Sequence, residues 1–246
     1  MVINVIKKHL IGVFAFTPAF CLTSCDSGNI YPETGDPSEG RTVNFSVKFT
    51  DVENWPSESR YVVCFACYKE GSTRPEVYHD ISKPSEGQEV TYKFKNLSSD
   101  VTTFAITLAR KSHKHVYNIY SEQIPGTDSK SITISALKVQ SLFSYVQTNV
   151  FDARCTSCHG DGWTSAGLDL REGKSYDLLV GHAAVTDPTR KRVVNSDAAS
   201  SYIVDILTNA ELPANINGHT NHPTTVMVSD EQLSLVKEWI NSGAEE

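Results

Sequence analysis

From residue 41 onward the chain alternates. Val43, Phe45, Val47 and Phe49 fall on one side of an extended backbone, and Asn44, Ser46 and Lys48 fall on the other. That is the period of a half-buried strand. Residues 60–68 are nearly all apolar, which predicts a central strand covered on both faces. Further strands are predicted over 76–81, 90–94, 101–109, 116–124 and 131–135. Turn-forming clusters separate them: Asn54-Trp-Pro, Lys83-Pro-Ser-Glu-Gly and Pro125-Gly-Thr-Asp. About seven strands with no helical period between them predict a two-sheet, immunoglobulin-like sandwich over residues 41–137.

The period changes after residue 138. Leu142, Phe143, Val146 and Val150 recur at helical spacing. Near the other end, Ser229-Asp-Glu-Gln232 reads as a capping box, with serine at the N-cap and glutamine three residues on. The helix it opens carries Leu233, Val236, Trp239 and Ile240, and stops at Asn241-Ser-Gly243. Residues 138–246 are therefore expected to form a second domain with a helix at each end.

The first 40 residues follow neither period. Lys7 and Lys8 precede an apolar run from Leu10 to Phe20 that is too short to span a bilayer. Leu22-Thr23-Ser24-Cys25 then resembles the lipobox of bacterial lipoproteins. The resemblance implies cleavage before Cys25 and lipidation of its thiol, so residues 1–25 are expected to be a lipoprotein signal peptide. An ordinary signal peptide with an incidental cysteine is the plainer reading. Residues 26–40, rich in Gly, Pro, Ser and acid, read as a flexible tether. The net charge is −7, and losing Lys7 and Lys8 would take it to about −9. No basic patch is left to neutralise phosphates, so nucleic acid is not an expected partner.

The chemistry is concentrated at Cys155-Thr-Ser-Cys158-His159. Two cysteines two residues apart, followed at once by histidine, form the attachment signal for c-type haem. Each thiol can add across one vinyl group, and His159 then offers a neutral imidazole to the iron. Gly160 would let the backbone pass close to the macrocycle. Two other readings compete. A zinc half-site needs a second Cys or His pair. A redox dithiol should open a helix after a strand in a βαβ unit, and no such pattern surrounds the motif. Cys64 and Cys67 share the spacing, but Tyr68 follows them. On a strand they point to opposite faces and read as buried core cysteines. His113 and His115 read as a solvated hairpin turn.

The haem motif also sits within a longer resemblance. Phe151-Asp-Ala-Arg-Cys-Thr-Ser-Cys-His-Gly160, Ala166-Gly-Leu-Asp-Leu-Arg171, Ser200-Ser-Tyr-Ile203 and Ser229 to Ala244, in that order, resemble planctomycete-type cytochrome c domains, which are also frequent in bacteroidete lipoproteins. The resemblance implies an all-α cytochrome c-like fold over 138–246 with one haem c. In that family a Met-Pro pair before the last helix supplies the second axial ligand to the iron. This chain has His222-Pro223 there instead, leaving His222, Met227 and His219 as candidates, with His222 preferred. An open sixth position is the remaining alternative. His182 is read as structural.

Together these features predict a two-domain, exported, lipid-anchored c-type cytochrome on the periplasmic or cell-surface side of a bacterial membrane. Its expected role is electron transfer to a redox protein partner, not catalysis. A haem-based sensor or gas binder is the first alternative. The second is an interaction lipoprotein with a structural haem, whose β domain binds protein or glycan.

Overall fold

In the computed structural model, residues 39–208, apart from 125 and 162, and residues 222–246 are described. The expected signal peptide, Cys25 and His219 lie outside the described residues, as does most of the expected tether. Among the described residues, no helix is long and apolar enough to cross a membrane.

Seven strands come first: β1 (Val43–Thr50), β2 (Tyr61–Lys69), β3 (Val77–Ile81), β4 (Glu89–Phe94), β5 (Val101–Arg110), β6 (His115–Gln123) and β7 (Lys130–Lys138). They make two sheets, β4-β1-β7 and β3-β2-β5-β6. The pairings are antiparallel except β1 with β7, which run parallel. The alternation of β1 does what its period requires: Val43, Phe45, Val47 and Phe49 are all buried between the sheets. Phe45 stacks on Phe65 of the facing sheet, ring centroids 4.7 Å apart.

Strand β2 is buried on both sides. Val63, Phe65 and Cys67 enter the core between the sheets, while Cys64, Ala66 and Tyr68 gather with Ala105 on the outer face. The two cysteines thus occupy opposite faces, as a strand demands of positions three apart. Both are free, and burial raises the pKa of each thiol.

The outer face of β2 is covered because the rest of the chain packs there. Helix α1 (Leu142–Val146) runs directly into a wider helical segment, Gln147–Cys155, where Thr156 N–H donates to Phe151 O five residues back at 3.1 Å. A short hairpin follows, β8 (His159–Gly160) against β9 (Trp163–Thr164). Then come α2 (Ser175–Leu179), α3 (Tyr202–Thr208), α4 (His222–Thr225) and α5 (Asp230–Asn241).

These elements correct the expected fold class. The molecule is mostly β, and its C-terminal half is not an all-α cytochrome c-like domain. Among the described residues, four of its five α-helices have seven residues or fewer, and α5, with twelve, is the long one. The physical reason lies between Cys155 and Tyr202. Gly167, Gly173 and Gly181 adopt left-handed conformations that break helical runs, and isolated bridges such as Val180 with Val193 take the place of helical turns.

Helix α5 begins as its sequence predicts. The Ser229 side chain accepts from Gln232 N–H, and the Gln232 side chain accepts from Ser229 N–H. Leu235, Val236, Trp239 and Ile240 are fully buried; the expected Leu233 is only half-buried. This apolar face joins Phe143, Val146, Val150 and Phe151 in a second core. The other face of α5 is polar and meets the outer sheet. Glu238, 8% exposed, accepts from the Tyr61 hydroxyl at 3.0 Å and from Arg110 Nε at 2.9 Å. In the first turn of the helix, Glu231 accepts from Asn118 N–H at 2.8 Å and lies 3.4 Å from His115 Nε2.

Candidate functional site

The helical segment before the motif is held by its own apolar residues. Val150 and Phe151 are buried in the second core, which fixes the point where Cys155 leaves it. Cys155 is half-buried, with its Sγ 3.6 Å from Val150 O; Cys158 is exposed. Cys158 N–H donates to Cys155 O at 3.1 Å, closing the turn between them. Both thiols are free.

Gly160 has a nearer reason to be glycine than the passage of a macrocycle. A Cβ at this position would stand 2.3 Å from Thr156 O, closer than any side chain tolerates. The close approach folds the chain back so that His159 lies beside the loop that follows. There His159 Nδ1 is 3.2 Å from Leu168 O, while Leu170 N–H donates to His159 O at 2.7 Å. A carbonyl can only accept, so Nδ1 carries the proton in this hydrogen bond. Burial lowers the pKa of His159 below the usual histidine value; hydrogen bonds to the backbone of Leu168 and Ser165 oppose it, and the nearby Arg192 guanidinium adds a smaller lowering. The net direction favours the neutral ring.

His222 opens α4, and its ring faces that of His159. The centroids are 6.2 Å apart and the planes 20° from parallel. Helix α3 packs against α4 and helps to set this position. Met227 is 66% exposed, with a left-handed φ of 48°, so it does not pack in the core. His182 is exposed in a separate loop.

One residue at the site had no signal in the sequence. Arg192 is half-buried, and its guanidinium donates to Leu178 O at 2.6 Å. It forms no ion pair with a carboxylate among the described residues, unlike Arg171, which is clasped by Asp161 and Asp169. Only folding brings Arg192 near His159, 33 positions away, so no local spacing could announce it.

The donor set tests the possible occupants. The expected metal-binding group is corrected: among the described residues, no three His, Cys, Asp or Glu side chains gather to hold an ion. That disposes of the zinc reading there, and the cytochrome label goes with the helical fold it presupposed. A nucleophilic dithiol needs a depressed thiol pKa. Burial instead pushes Cys155 up to about 12.

A haem asks for less from the side chains, because its ring supplies four ligands to the iron. It needs two thiols on one turn, one neutral imidazole and, for a six-coordinate iron, a second donor opposite. An imidazole nitrogen sits about 2 Å from a bound metal and its ring centroid about 1 Å farther back, so two such rings flanking one iron stand about 6 Å apart. The His159–His222 centroid distance is of that order, and two thiols on one turn followed by a histidine are the donor types such a group uses. Comparison of the chain with family models, characterised proteins and solved structures found no match.

Proposed function

We propose that this chain is an exported, lipid-anchored protein that carries one covalently attached haem and passes single electrons to a redox protein partner. The observation that carries the reading is the facing pair of imidazoles, one of them directly following the Cys155–Cys158 turn.

In this reading Cys155 and Cys158 would hold the group through thioethers, and His159 and His222 would be the residues that offer nitrogen to its iron. The bound group supplies a one-electron couple. The protein's part is to orient it and set its potential. The Leu168 carbonyl holds the His159 ring in one tautomer and makes Nε2 a better donor. The half-buried Arg192 places positive charge beside the site, where it would offset the propionates and favour the reduced state. A histidine at both positions gives a lower potential than a histidine–methionine pair. It also leaves no open position for a gas, which separates this reading from the sensor.

The test is a pyridine haemochrome spectrum and a haem-stained denaturing gel of protein exported with haem maturation machinery. A stained band that survives boiling, and disappears in Cys155→Ala/Cys158→Ala, is expected. An unstained wild-type band sinks the proposal. The anchor is tested separately. Cys25→Ser should move the protein from the membrane to the soluble fraction with its haem spectrum intact, and a wild type that is already soluble refutes the anchor.

A further inference from the structure

We propose that the groove between the β2–β3 connection and the first turn of α5 binds a short neutral glycan. The groove encloses about 860 Å³, and its floor is the outer face of the β3-β2-β5-β6 sheet. It lies where the two halves of the chain meet, a common place for ligand sites.

A platform stands at its edge. Tyr78 is 46% exposed, a large apolar surface left open to solvent. It is in register with Ala66, whose small side chain leaves the ring standing clear of the sheet. His113, from the β5–β6 turn, stacks on Tyr78 with centroids 4.0 Å apart and planes 27° from parallel. Its Nε2 hydrogen-bonds to Asp80 Oδ1 at 2.9 Å. His113 holds a φ of 57°, a left-handed conformation that costs energy outside glycine. The hairpin loop from Arg110 to Lys114 requires that conformation, and the contacts with Tyr78 and Asp80 hold the ring in place on a turn that stays solvated, as expected.

The lining selects the class of ligand. Arg74 and Lys114 bring positive charge, Glu76, Asp230 and Glu231 negative charge, and Thr103 and Asn118 neutral polar groups. An anion would meet the three carboxylates, and a cation the two bases. A neutral ring bearing many hydroxyls satisfies donors and acceptors together, while its C–H face packs on the tyrosine. The groove, about 860 Å³ and open to solvent, has room for a short chain of such rings. The proposal stands apart from the haem reading, because neither His159 nor His222 lines the groove.

Isothermal titration of the full chain with maltohexaose, cellohexaose and mannohexaose tests it. At least one should bind with a Kd of about 0.1–1 mM. Tyr78→Ala should weaken that binding about tenfold or more, while Tyr78→Phe, which keeps the ring, should change it less than about threefold. Ser234→Trp, which fills the groove from the α5 side, should abolish binding without touching the platform. The proposal is overturned if none of the three sugars binds at millimolar concentration. Binding that survives both Tyr78→Ala and Ser234→Trp also overturns it, as does capture of an unstructured peptide in place of every sugar.

Discussion

The imidazole of His222 faces that of His159 across 6.2 Å, with the planes only 20° from parallel. The two residues lie 63 positions apart and in different elements, one at the start of strand β8 and one at the head of a four-residue helix. This relationship fixes the first prediction. With haem attached, the ferric protein should be low-spin and lack the weak sulfur-to-iron charge-transfer band of a methionine ligand. His222→Ala should convert it towards high spin and open the reduced form to carbon monoxide. Met227→Ala should change neither the spectrum nor, at an exposed site, the stability by more than about 0.5 kcal/mol. A sulfur band that vanishes in Met227→Ala would reassign the ligand.

Gly160→Ala should be far more damaging than its size suggests. The added methyl group must displace Thr156 O, and with it the turn that carries Cys158. The expected cost is about 1–3 kcal/mol, together with a marked drop in the fraction of protein carrying covalent haem. Urea melts and gel staining measure the two effects separately, and a neutral result in both would show that the turn gives way freely.

Glu238→Ala should cost about 1–3 kcal/mol, because it strands the buried Tyr61 hydroxyl and removes the acceptor for Arg110. Glu238→Gln keeps an acceptor and should recover part of the loss. Equilibrium denaturation distinguishes the two variants, and equal stability of Ala and wild type would mean that water replaces the carboxylate without penalty.

Glu231 gives the structure a dependence on acid. Burial pushes its pKa up, but the hydrogen bonds from His115 and from Asn118 N–H outweigh burial, and the net direction is down. A depressed carboxyl contributes stability that is fully present above its unfolded value of about 4.3 and is lost as pH falls through the folded one. Wild type should therefore lose stability below about pH 4 more steeply than Glu231→Gln, which has no proton to take up there. Parallel acid melts of the two proteins would contradict this.

The strands of the sandwich were legible because a sheet with one wet face writes its period into the chain, as Val43 to Phe49 shows. The start of α5 was legible for a similar reason, since a capping box is a local device. The parallel pairing of β1 with β7 was not, because alternation says which face is buried and nothing about the neighbour. The all-α expectation failed at residues 156–201. There the chain is organised by backbone bonds between distant loops, such as Arg192 N–H to His182 O, which no period records. The motif at Cys155 to His159 was visible as a word. That His222 faces it, and that Arg192 stands near it, are facts of the folded chain.

The polar face of α5 has a consequence for how this protein comes apart. Its carboxylates bind the sheet while its apolar face completes the core beside Cys155, so one helix is a wall of both rooms. If the chain carries haem as proposed, calorimetry of the loaded protein should show one endotherm, with the Soret band and the far-ultraviolet signal of the strands fading at the same temperature. A fragment starting at residue 138 would keep every attachment residue yet lose the surface that Glu231 and Glu238 are built to meet, and it should fail to mature with haem. The sandwich would then be less a spacer than a chaperone carried in the same chain.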